Sequence, residues 1–140
     1  MTLISHLPGA QPGWDTVETD WVSEETDDDC NNTRAWIVFI QDDLELEVIV
    51  HIYDSNHVTS FPPEEVEYGT VYQNSEGYGQ LQIVNGFNAW ENAMYGEGMV
   101  VWVDIGNGIW VIVMLMGSTD TSLLYPYLDS VDYDSLAALA

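Results

Sequence analysis

The sequence contains no lysine and a single arginine, Arg34. Against that one cation stand 24 carboxylates, so the formal net charge is −23. A surface so short of cations cannot neutralise its acids by ion pairing. It also excludes direct binding to nucleic acid, because gripping phosphates needs clustered Lys and Arg. Cysteine is almost absent: Cys30 stands alone, so no disulfide can form within the chain and the redox compartment stays open. Nor does any run reach the 18 or so apolar residues of a membrane-spanning helix. Residues 1–8 are too short and too weakly charged for a secretory signal. If Met1 is the natural start, the expectation is a cytoplasmic or virion-borne protein; if it was created by excision, an extracellular domain.

What is present is a core. The chain has 140 residues, of which 46% are hydrophobic, including six Trp and eight Tyr. That is the size of one ordinary domain and the wrong composition for a disordered acidic tail. The charge then needs its own account. At low ionic strength the carboxylates repel one another, whereas at about 1 M salt the Debye length falls to roughly 3 Å and the repulsion is screened. Carboxylates also hold water and hydrated Na⁺ or K⁺ without specificity. The composition resembles that of proteins from salt-loving archaea and their viruses, with the lack of lysine as its most specific feature. Eight Asn and nine Ile depart from that resemblance. The rival reading is an acidic surface that mimics nucleic-acid phosphate and inhibits a basic DNA- or RNA-binding protein. Charge spread over all faces favours brine adaptation; regular rows on one face favour mimicry.

Hydropathy patterning points to an antiparallel sheet. Two β-branched and aromatic runs, 99–105 and 109–116, flank Gly106-Asn107-Gly108 and read as a hairpin. The second run carries no charge and is apolar on both faces, which predicts a central strand. A second hairpin is expected over 34–40 and 44–53. There Leu44, Leu46, Val48, Val50 and Ile52 form an unbroken period-two stripe. Residues 16–23 read as an edge strand and 24–33 as a polar loop. Residues 80–84 read as a further strand, turned by Asn85-Gly86 toward a short or bulged strand at 87–90. Pro62-Pro63-Glu64-Glu65 reads as the start of a short helix. After Met116, Ser118-Thr119-Asp120 caps a helix that Pro126 should limit or kink, and Asp132 or Asp134 caps a second one.

The expected fold is α+β: a single antiparallel sheet of five to seven strands with one or two C-terminal helices packed on one face. The chain reads as a single domain, 1–140. An irregular arm spans 1–14, the sheet 15–116 with a long connection over 54–79, and the helical segment 118–140.

The order of parts has a recognisable layout. Leu7-Pro8…Pro12-Gly13-Trp14 opens it, and a strand ending in Tyr53-Asp54-Ser55 follows. Then come Val84-Asn85-Gly86-Phe87-Asn88-Ala89, the hairpin from Val100-Val101-Trp102 to Gly106-Asn107, and a closing helix. This arrangement resembles the sheet-and-helix sandwiches of the PsbP/Mog1-like class and of small acidic haloarchaeal exported domains. The resemblance implies a non-enzymatic binding or accessory module. It transfers no functional residue, and the lack of an export signal departs from the exported members.

Few residues offer chemistry. His51, Asp54 and His57 form the densest metal-ligand spacing. On an extended strand, however, the two imidazoles stand about 20 Å apart, so a sharp turn at 54–56 is required. The competing reading is a strand-end histidine and a loop histidine. Asp27, Asp28 and Asp29, with Asn31 and Asn32, supply hard oxygen ligands for Ca²⁺ or Mg²⁺. They lack the alternating ligands and central Gly of an EF-hand loop, so a solvated acidic loop is the default reading and weak, nonspecific cation binding the alternative. Asn31-Asn32-Thr33 is a glycosylation sequon, relevant only to an exported chain. Nothing near Cys30 activates a thiolate, and 24 acids give too many carboxylate pairs to assign a catalytic one. No catalytic residue and no cofactor are therefore predicted. Aromatic residues remain. Trp110 reads as core, but Trp102 shares its strand face with Val100 and Asp104. Together with Trp90 these residues form the expected contact surface for a protein partner or for self-association.

Overall fold

The computed structural model describes residues 7–27, 30–41, 45–55, 72–106 and 109–138. Among these residues, eight strands and two helices follow in chain order: β1 Asp15–Asp27, β2 Cys30–Gln41, β3 Leu46–Ser55, β4 Tyr72–Gln73, β5 Gly77–Val84, β6 Phe87–Met94, β7 Gly98–Gly106, β8 Ile109–Met116, α1 Thr121–Asp129 and α2 Tyr133–Ala137. All strands join one antiparallel sheet in the order β1-β2-β3-β8-β7-β6-β5-β4. Seven of them are long; β4 is a two-residue segment against Tyr78 and Gly79 at the edge. The chain is therefore mostly strand, with both helices after the sheet, the α+β arrangement expected from patterning.

The apolar stripes decide which face is covered. Leu46, Val48, Val50 and Ile52 of β3, Val101 and Val103 of β7, and Val111, Val113 and Leu115 of β8 share one side of the sheet and are buried. Leu124, Tyr127 and Leu128 of α1 and Tyr133 and Leu136 of α2 complete that core. Asp120 caps α1 by accepting the Ser122 N–H at 2.9 Å, and Asp132 caps α2 by accepting the Ser135 N–H at 3.2 Å. Pro126 lies inside α1, past its first turn, yet the helix continues to Asp129. The helix runs through the proline because Tyr127 and Leu128 beyond it are fixed by packing. Tyr127 stacks on Phe39 at 4.5 Å and meets Trp14 edge-on at 5.6 Å. Its hydroxyl accepts the Gln11 N–H at 3.0 Å, which pins the N-terminal arm to the helix.

Several boundaries differ from the sequence reading. The polar stretch 24–33 is not simply a loop. β1 and β2 continue to pair through Glu25–Asn32, Thr26–Asn31 and Asp27–Cys30, because ladder hydrogen bonds use backbone groups whatever the side chain. β6 runs its full eight residues instead of stopping at 90. Asn85 (φ 50°) and Gly86 (φ 87°) both take the left-handed conformation, which is the type I′ geometry that suits the strand twist. The long connection is shorter than expected, since β3 extends to Ser55 and β5 begins at Gly77. The helix expected at 62–65, the Asn107-Gly108 turn and Leu44 lie outside the described residues.

Candidate functional site

The expected contact surface lies on the sheet side opposite the helices. In β7, Val100, Trp102 and Asp104 point that way and are half-buried. Trp102 stands between Trp90 of β6 and Ile112 of β8, so the register does bring Trp90 beside it. Trp90 is buried, 1% exposed, and so is Trp110 on the same side at 6%. Both lie outside the helix-covered core. Among the described residues, no helix or strand packs over this side. The Asp104 carboxylate serves the backbone beside it, its Oδ1 accepting the Gly106 N–H at 3.0 Å where the β7–β8 register shifts. The carboxylate beside Val100 and Trp102 is thereby explained as a turn-closing acceptor.

Of the predicted metal ligands, the structure describes His51, Asp54 and Asp27. His51 sits in mid-strand on the same side, with its ring 5.9 Å from Trp36 and 6.3 Å from Tyr53. Asp54 follows on β3 opposite Ile109, while His57 lies outside the described residues. Asp27 ends β1 opposite Cys30; Asp28 and Asp29 lie outside the described residues. Among the described residues, no group of three or more His, Cys, Asp or Glu side chains is placed to hold a metal. Among them, too, no helix is long and apolar enough to cross a membrane.

A polar cluster that sequence reasoning misses sits on the helix side. Glu91 of β6 is completely buried. Its carboxylate accepts from Gln80 Nε2 at 2.7 Å, Gln82 Nε2 at 3.2 Å and the Tyr125 hydroxyl at 2.6 Å. Three neutral donors thus stand in for a counter-ion. Burial pushes the Tyr125 phenol up to about 12, reinforced by its hydrogen bond to Glu91 and by the nearby negative charge. Burial, then the same carboxylate, raises Tyr78 as well. The available signal is the alternation Gln80-Leu81-Gln82-Ile83, which conventionally turns Leu81 and Ile83 inward. The structure reverses it: Ile83 is 64% exposed and both glutamines face the helix. The cluster clamps α1 to the β5–β6 hairpin.

No family model matches the chain, and no curated protein or solved structure matches it either.

Proposed function

We propose that the chain is a non-enzymatic binding, accessory or structural module of a salt-loving organism or its virus. Its acidity is an adaptation to brine, and it meets a protein partner, or a second copy of itself, through the sheet side that carries Trp102. The likeness to small acidic haloarchaeal proteins of PsbP/Mog1-like layout belongs to the same reading.

One observation carries it: among the described residues, the exposed carboxylates are dispersed. Asp15 opens β1, Glu45 lies in the β2–β3 turn, Glu76 precedes β5, Glu97 lies in the β6–β7 turn, Asp120 precedes α1 and Asp134 lies on α2. Among the described residues, Asp15, Glu45, Glu76 and Glu97 stand at one end of the sheet, while Asp134, with Asp129 and Asp132, stands beside Asn85 at the other, an arrangement unlike the rows on one face that a phosphate mimic requires. Dispersed like charge gives repulsion that only added salt relieves. Far- and near-UV circular dichroism should therefore strengthen from about 0.1 M to about 2 M KCl as screening sets in. A fold unchanged below about 0.05 M salt, where the Debye length exceeds about 10 Å, sinks the brine reading. The mimic predicts a different result, namely capture of a basic DNA-binding protein at low salt and its release as salt rises.

A further inference from the structure

Methionine is used in one place. Apart from Met1 the chain has four, and Met94, Met99, Met114 and Met116 all line one cleft of about 180 Å³ at the end of the sheet. The register explains how. Met94 of β6 and Met116 of β8 both stand opposite Gly98 of β7, so their Cα atoms flank a residue without a side chain, roughly 10 Å apart at the usual strand spacing. Met114 follows two residues back along β8, on the same side. Gly98 cannot be larger, since a Cβ there would collide with the Leu115 carbonyl oxygen. The cleft's floor is thus kept open by sterics, and three flexible thioether side chains surround it. Met94 is 50% exposed and Met116 44%, while Glu97 and Asn92 also border the cleft.

The walls are fixed by backbone bonds. Glu97 N–H donates to the Met94 carbonyl at 3.0 Å, and Gly117 N–H donates to the Glu97 carbonyl at 2.8 Å. The β6–β7 turn is thereby tied to the end of β8, so Met94 and Met116 are held in a set relation.

We propose that this cleft binds a soft monovalent cation, Cu(I) in the cell, through the thioethers of Met94, Met114 and Met116. Thioethers are soft donors that select Cu(I) over hard ions. Na⁺, K⁺ and Mg²⁺ have no affinity for them, so abundant brine cations do not compete. A net charge of −23 raises the local concentration of any cation, and the Glu97 carboxylate lies at the rim of the cleft. The site adjoins the contact surface around Trp102, sharing Val100 with it, but its argument does not depend on that surface having a partner.

The test uses Ag(I) as probe on the full chain carrying Cys30→Ser, because a thiol would bind silver itself. Cys30 lies ten residues along β2 from the row of Ile40, Glu47 and Met116, roughly 33 Å at the rise of a strand, so its replacement leaves the cleft alone. Methionine methyls labelled with ¹³C are followed while silver nitrate is added in about 1 M potassium nitrate free of chloride, which preserves screening. The Met94, Met114 and Met116 methyls should move together and saturate at one equivalent, with Met1 unmoved. Methyls that stay in place at excess silver mark a purely apolar cleft and overturn the site; unsaturated movement of all five does the same. Met94→Leu and Met116→Leu conserve volume and folding. Loss of an outer-shell partner alone costs about 10–100-fold in metal affinity, so losing a direct ligand should cost at least about tenfold. Unchanged affinity in both variants also overturns it.

Discussion

Glu91 puts a carboxylate in the interior of a chain whose one arginine, Arg34, lies four strands away on β2. Its hydrogen bonds to Gln80, Gln82 and Tyr125 make it a fixed part of the fold. Glu91→Leu strands those donors without an acceptor and should cost about 3 kcal/mol in urea unfolding; Glu91→Gln, which keeps one acceptor oxygen, should cost less. Equal stability for the wild type and the leucine variant would show that the cluster contributes nothing. Tyr125 reports the same site through pH. Its folded phenol ionises near 12 against 10.0 for the free side chain. The unfolded chain therefore releases that proton first. Stability from this group is complete below pH 10 and is lost as pH rises toward 12. Ultraviolet titration should show a tyrosine ionising near 12 that moves toward 10 in Glu91→Gln. A Tyr125 signal already ionised at 10 would contradict the geometry.

Elements differ in how much of them the sequence reveals. β3 and β8 are legible because their stripes are unbroken and free of turn residues, and hydrophobic burial then leaves one choice of face. The Asp120 and Asp132 caps are legible because a short acid before an apolar run has one efficient use. The facing of β5 is not, because Glu91, on another strand, reverses which of its residues profit from burial. The tip of the β1–β2 hairpin escapes because its polar residues hide backbone pairing. The Val100–Trp102–Asp104 face is legible from alternation alone. The methionine cleft is not, since it depends on the register of three strands around Gly98. Pro126 offers a direct test of the helical layer. It brings no N–H to the Ser122 carbonyl, a defect worth about 3 kcal/mol in a helix interior and partly offset by the stiffer unfolded chain. Pro126→Ala should therefore raise stability by about 1–2 kcal/mol, seen as a higher melting temperature. A lower melting temperature would mean that the ring itself packs against the arm at Gln11, whose side-chain amide donates to the Pro126 carbonyl at 3.4 Å.

For the whole molecule, charge and topology act at different ranges. If the acidity is the proposed adaptation to brine, the carboxylates set how the folded state responds to salt, the dependence that the dichroism series measures. The strand order sets something else. Among the described residues, β1-β2-β3 and β5-β6-β7-β8 are each built from neighbours in sequence; within the sheet the β3–β8 ladder unites them, and α1 packs on both of those strands. Its partners are distant along the chain: Ile52 meets Val111, and Glu47 meets Met116. Each half can zip locally, but joining them requires closing a loop of roughly sixty residues, with the entropic cost that entails. The topology therefore predicts that two locally formed halves join late, along one seam. On one side of that seam is β8, a strand without a charge, so the two halves can meet there without bringing carboxylates together.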